Sequence, residues 1–128
     1  MPRVVHFEIH ASDPARMVKF YTEVFDWKFM HRPEMQYWLV MTGDEKEPGI
    51  NGGLMQRRGP KPDKDQPVSA HVCTVDVPSV EEYWKRALAA GALPALPKKT
   101  IPGVGYAAYL KDPDGNIFGI YQADKAAH

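Results

Sequence analysis

Cysteine is almost absent from this chain of 128 residues: Cys73 is the only one, which excludes an intrachain disulfide and any multi-cysteine zinc cluster. Net charge is lacking as well. Lys and Arg number 16 and Asp and Glu 16, so no overall field draws the chain to nucleic acid or to anionic lipid, and Arg57-Arg58 reads as part of a solvated loop. No apolar run approaches the roughly 18 residues of a membrane span. Met1-Pro2-Arg3 leads into a strand pattern with no signal-peptide core, and the expected location is cytoplasmic. No serine sits in a G-x-S-x-G turn, which leaves serine-hydrolase chemistry without support. Gly103 and Gly105 precede a strand and no helix, so they read as a turn and not as a phosphate-cradling loop.

What is present describes an ordinary globular domain. Apolar residues make up 44% and charged ones 25%, and the length suits one domain with a buried core. Val5, Phe7 and Ile9 alternate with His6, Glu8 and His10, the period of a strand. Asp13 can cap a helix with Pro14 at its first position. Met17, Phe20, Tyr21, Val24 and Phe25 then fall at helical spacing, which predicts a helix over about 14 to 25. Strand candidates follow at Lys28 to His31, Tyr37 to Met41 and Gly52 to Arg57.

Between Arg58 and Pro67 the composition turns to Gly, Pro, Lys, Asp and Gln, a solvated connection. Strand character returns from Ser69 to Val75. Ser79 to Glu82 forms an S-x-x-E capping box ahead of Val80, Tyr83, Trp84, Ala87 and Leu88, with Gly91 as terminator. Further strands are expected at Leu93 to Leu96, Tyr106 to Leu110 and Asn116 to Gln122, the last two joined by the turn Asp112-Pro113-Asp114-Gly115. Both halves thus read βαβββ: one module at about 4–57, a linker at about 58–67, a second module at about 68–122 and a tail at 123–128. His71 follows His6 by 65 positions. Gly49-Ile50-Asn51-Gly52-Gly53-Leu54-Met55-Gln56 overlies Gly115-Asn116-Ile117-Phe118-Gly119-Ile120-Tyr121-Gln122 at an offset of 66.

Val5-His6-Phe7-Glu8-Ile9-His10-Ala11-Ser12-Asp13-Pro14, then Phe20-Tyr21 and Val24-Phe25-Asp26-Trp27, resembles the opening of vicinal oxygen chelate proteins, the superfamily of glyoxalase I, bleomycin-resistance proteins and extradiol dioxygenases. Asp112-Pro113-Asp114-Gly115-Asn116 is similar to the signature before their final strand. Asp26 departs from the pattern, since relatives commonly carry glycine there, and a left-handed turn at an aspartate would be somewhat strained. The resemblance implies an α+β fold, in which two βαβββ modules with curved mixed sheets enclose a cavity and the helices lie outside. It also implies a homodimer and a small-molecule ligand, while the balanced charge and the lack of a long apolar run lead to the expectation of no nucleic-acid or membrane partner.

In the metal-dependent members a first-strand histidine and a last-strand carboxylate from each module bind a divalent ion. Carried over by position, the resemblance makes His6 and His71 the metal candidates, with zinc, nickel, manganese or iron as the ion. The carboxylate positions fall on Gly53 and Gly119, which have no side chain, so no cofactor is assured. A cluster of His6, Glu8 and His71 could imitate a two-histidine, one-carboxylate set, although residues i and i+2 of a strand lie about 7 Å apart. Glu8 is the catalytic candidate, as metal ligand or general base. His6, His71, Cys73, Trp38 (or its neighbour Tyr37), Tyr106 and Tyr121 are the ligand-binding candidates. The leading functional expectation is binding of an unidentified small molecule without the full family metal site. Two alternatives stand beside it: a metal-dependent lyase, isomerase or dioxygenase using His6, Glu8 and His71, and a non-catalytic auxiliary or regulatory subunit.

Overall fold

Alternation followed by helical spacing sets the first two elements. The computed structural model describes residues 2–63, 65–67, 70–114 and 116–128, and in it β1 spans Arg3–Ala11 and α1 spans Pro14–Phe25. The Asp13 carboxylate accepts a hydrogen bond from the Arg16 backbone N–H at 3.2 Å, satisfying one of the free donors of the first turn. Asp26 ends the helix in the left-handed conformation at φ 59°, its N–H donating to the Thr22 carbonyl. The aspartate therefore adopts the backbone shape that favours glycine, as its place in the motif suggested.

Two compact units divide the chain, His6–His71 and Met1–Val5 with Val72–His128. In the first, β2 (Lys28–Arg32), β3 (Tyr37–Met41) and β4 (Gly52–Gln56) follow the helix. The strand order is β2-β3-β4-β1, with β1 parallel to β4 and the other pairs antiparallel. Ile9, Ala11, Val40 and Leu54 are buried, and Phe7, Met17, Tyr21, Trp27, Phe29 and Trp38 pack against them. Because Met17 and Tyr21 belong to α1, this cluster marks the helix-bearing face of the sheet. Successive strand residues point to opposite faces, so His6, Glu8, Tyr37, Leu39, Gly53 and Met55 share the other one.

The second unit contains β5 (Val72–Asp76), α2 (Val80–Ala89), β6 (Leu93–Ile101), β7 (Gly105–Lys111) and β8 (Ile117–Ala123). Its order is β5-β8-β7-β6, with β5 parallel to β8. Ser79 Oγ accepts from the Glu82 N–H at 3.1 Å, and Gln122 Oε1 accepts from the Val80 N–H at 3.0 Å, so a side chain of the last strand helps to cap α2. Val77, Val80, Ala108, Leu110 and Ile120 form the buried cluster beneath this helix. Each unit thus pairs one helix with a mixed sheet in the order βαβββ, the repeated α+β arrangement expected from the sequence.

Two expectations shift. Strand β5 begins at Val72, and Ser69, where strand character was expected to start, lies outside the described residues. Strand β6 runs to Ile101, well past Leu96, although it contains Pro94 and Pro97. It is an end strand in the order, with register shifts between Pro94 and Leu96 and between Leu96 and Lys99. An outer strand with irregularities tolerates residues that lack an N–H. In the turn between β7 and β8, Gly115 also lies outside the described residues. The Asp112 carboxylate accepts from the Asp114 N–H at 2.9 Å and the Asn116 N–H at 3.0 Å. Those bonds explain why an aspartate opens this turn. Among the described residues no helix is long and apolar enough to cross a membrane.

Candidate functional site

On the face of the first unit opposite α1, β1 and β3 bring three polar side chains together. Tyr37 Oη lies 2.9 Å from His6 Nε2 and donates to Glu8 Oε2 at 3.1 Å. His10 Nε2 stands 3.5 Å from Glu8 Oε1. Glu8 is only 6% exposed, a degree of burial that a carboxylate tolerates when donors surround it. His6 and Tyr37 are half-buried. Burial lowers the His6 pKa from its ordinary value, and the neighbouring Glu8 charge opposes part of that shift. The ring is therefore held neutral at neutral pH.

A phenolic hydroxyl has one proton to give. Since Tyr37 gives it to Glu8, His6 must supply the proton in the other bond. His6 is thus the Nε2–H tautomer, and its Nδ1 carries the lone pair. The chain His6 to Tyr37 to Glu8 runs in one direction, and the carboxylate at its end fixes the state of the imidazole at its start.

Gly53 makes this chain possible. It pairs with Glu8 across β1 and β4, and a Cβ built there would collide with the Tyr37 hydroxyl and ring. The tyrosine crosses over the glycine to reach β1. In the second unit Thr74 pairs with Gly119 as Glu8 pairs with Gly53, which makes 66 the structural offset between the units. That offset sets Thr74 in the place of Glu8 and Val72 in the place of His6. The second unit repeats the frame without the polar set.

The remaining sequence candidates fall elsewhere. His71 is 65 positions from His6, one short of the structural offset, and stands just before β5. Its ring stacks on Phe7 with centroids 5.7 Å apart and meets the edge of Tyr21 at 6.3 Å, on the helix-bearing side. Burial lowers its pKa too. The expected pairing of His6 and His71 is therefore not formed. Trp38 also belongs to the helix-bearing face, stacking on His31 at 4.2 Å, and its neighbour Tyr37 occupies the site. Cys73 is exposed and shares the strand parity of Val75, which packs against the cluster beneath α2. Tyr106 packs against that same cluster, with Lys98 Nζ 4.6 Å from its ring centroid. Tyr121 does lie on the face opposite α2, beside Asp76, and donates to the Val104 carbonyl at 3.2 Å. Desolvation, then the Asp76 charge, raises its pKa.

Among the described residues, cavities of about 100 Å³ and about 440 Å³ lie among Thr42, Asp44, Glu47 and Asn51 and among Arg57, Lys61, Asp63 and Gln66. Neither includes the His6 group.

An α+β chain built of two βαβββ units defines a known class. The sequence model of the Glyoxalase/Bleomycin resistance protein/Dioxygenase superfamily matches residues 3–120, and the chain belongs to that superfamily. Several solved structures share the fold. Methylmalonyl-CoA epimerase in complex with methylmalonyl-CoA and NH4+ is 14% identical at a TM-score of 0.64, with 99% of this chain and 98% of that chain covered. A superfamily member from Vibrio splendidus 12B01 is 20% identical at 0.62, covering 97% and 100%. The Mn(II)-bound glyoxalase from Novosphingobium aromaticivorans is 18% identical at 0.59, covering 99% of this chain and 41% of its own. No curated protein matches the sequence.

A divalent metal of the family type does not fit the residues present. Gly53 offers no donor, and the Tyr37 side chain fills the space in which one would stand. His6 Nε2 is committed to Tyr37, and His71 lies on the opposite face. Among the described residues no group of three His, Cys, Asp or Glu side chains is placed to hold an ion.

Proposed function

We propose that this chain is a small-molecule-binding member of the superfamily, which uses the His6–Tyr37–Glu8 chain where metal-dependent relatives use a metal centre. One observation carries the reading: the Tyr37 hydroxyl lies across Gly53 and joins His6 to Glu8. A hydrogen-bonded group on a half-buried sheet face, with Leu39 and Met55 beside it, combines apolar surface with a few fixed polar atoms, the usual composition of a ligand site. The alternative of a metal-dependent lyase, isomerase or dioxygenase loses its ligand set with His71.

Two measurements test the proposal on protein purified without an affinity tag. Elemental analysis is expected to find no stoichiometric zinc, nickel, manganese or iron. Thermal shift with a panel of small aromatic and antibiotic compounds is expected to find stabilising ligands, because whatever binds only the folded state raises the melting temperature. Stoichiometric metal, or a panel with no stabilising compound, would refute it. The cytoplasmic location and the homodimer belong to the same proposal. Phe20, Val24 and Phe25, exposed on α1, support an association surface, which light scattering on the purified protein would test.

A further inference from the structure

We infer that the ligand of this site is a small molecule with an apolar body and a hydrogen-bond donor, a hydroxyl in the simplest case, that donates to His6 Nδ1. The inference rests on the small-molecule reading above and adds the chemistry of the ligand. Direction in the hydrogen-bond chain is its basis. Tyr37 donates to Glu8 Oε2 at 3.1 Å, so His6 Nε2 donates to Tyr37 across 2.9 Å, and Nδ1 is left with a lone pair. Among the described residues Nδ1 has no hydrogen-bond partner, and it is not among the buried unsatisfied atoms. It is reachable from outside.

The site therefore presents an acceptor beside a buried carboxylate. An anionic ligand would meet the Nδ1 lone pair, whereas a donor meets a partner. Apolar contact comes from the same face. Leu39 is the register partner of Gly53, Met55 that of Tyr37, and Met30 that of Leu39. By strand parity these side chains lie on the same sheet face as the polar group and add methyl and thioether surface to it.

Titration calorimetry with 4-methylphenol, 4-methylanisole and 4-methylbenzoate tests this. The three probes share one body and differ in offering a donor, a methylated oxygen or an anion. A site built to receive a hydroxyl discriminates strongly against an analogue without one. The phenol is expected to bind at least ten-fold more tightly than the anisole, and the benzoate more weakly still. His6→Phe keeps a planar ring but has neither the donor nor the Nδ1 lone pair, and is expected to lose the preference while its circular dichroism stays unchanged. If His6→Phe fails to fold, the wild-type comparison of phenol with anisole decides alone. Equal binding of the two, or preference for the benzoate, overturns the donor inference and leaves small-molecule binding intact. No binding by any of the three overturns the donor inference as well, and the compound panel then judges the wider reading separately.

Discussion

The Tyr37 hydroxyl occupies the volume into which a side chain at Gly53 would grow. The two residues are on adjacent strands, in diagonal register, and each explains the other. A tyrosine can reach from β3 to β1 only over a residue without a side chain, and the glycine is tolerated within a strand because the ring packs over it.

Gly53→Ala forces the tyrosine out or the strands apart. Overpacking of this kind costs about 1–3 kcal/mol, to be read as a lowered denaturation midpoint. Combined with Tyr37→Ala, the same substitution should cost distinctly less than the sum of the two single changes, because the collision is gone. Additive costs would show that the crossing does not exist in solution.

Tyr37→Phe keeps the ring and deletes the bridge. His6 Nε2 and a Glu8 carboxylate that is 6% exposed each lose a partner. The expected loss is about 1–3 kcal/mol, the usual cost of a buried polar group deprived of its hydrogen bond. Urea denaturation of wild type and variant provides the value.

Stability should decline on mild acidification. Burial holds His6 and His71 below their ordinary pKa of 6.5, so between the folded and unfolded values the unfolded chain binds more protons. The stabilisation is complete above the unfolded value and is lost as pH falls through the folded ones. The urea midpoint is expected to fall from about pH 7 to about pH 5, and the slope to flatten in the double variant His6→Gln, His71→Gln. An unchanged slope in that variant would place the titrating groups elsewhere.

Ser79→Ala removes the oxygen that accepts from the Glu82 N–H. A lost N-cap costs about 0.5–2 kcal/mol, and differential scanning calorimetry should register it. Gln122→Leu removes the second capping acceptor, and its effect should add to that of Ser79→Ala only in part, since both serve the same helix turn.

Much of the fold was legible because its signals are local. Asp13-Pro14 and Ser79 mark helix starts, Asp26 and Gly91 mark ends, and alternation in β1 separates His6 and Glu8 from Phe7 and Ile9. The candidate site was legible in part. The resemblance singled out His6 and alternation put Glu8 on its face, but Tyr37-Trp38-Leu39-Val40-Met41 is apolar throughout, so its pattern gives no indication of which face is which. Only the burial of Val40 against Leu54 assigns Trp38 to one side and Tyr37 to the other. His71 was misleading for a different reason. Two histidines at nearly the repeat distance suggest a pair, and the missing residue between 65 and 66 sets His71 just before β5 without changing the look of the alignment. The glycines at 53 and 119 were visible, and their meaning as missing donors could be read. That one of them accommodates a tyrosine depends on a diagonal cross-strand contact, which no spacing rule within a single segment reveals.

Duplicating a frame does not duplicate what it carries. Val72 and Thr74 stand in the second unit where His6 and Glu8 stand in the first, so ligand counting on this protein should saturate at one molecule per polypeptide, with a single enthalpy and no second step.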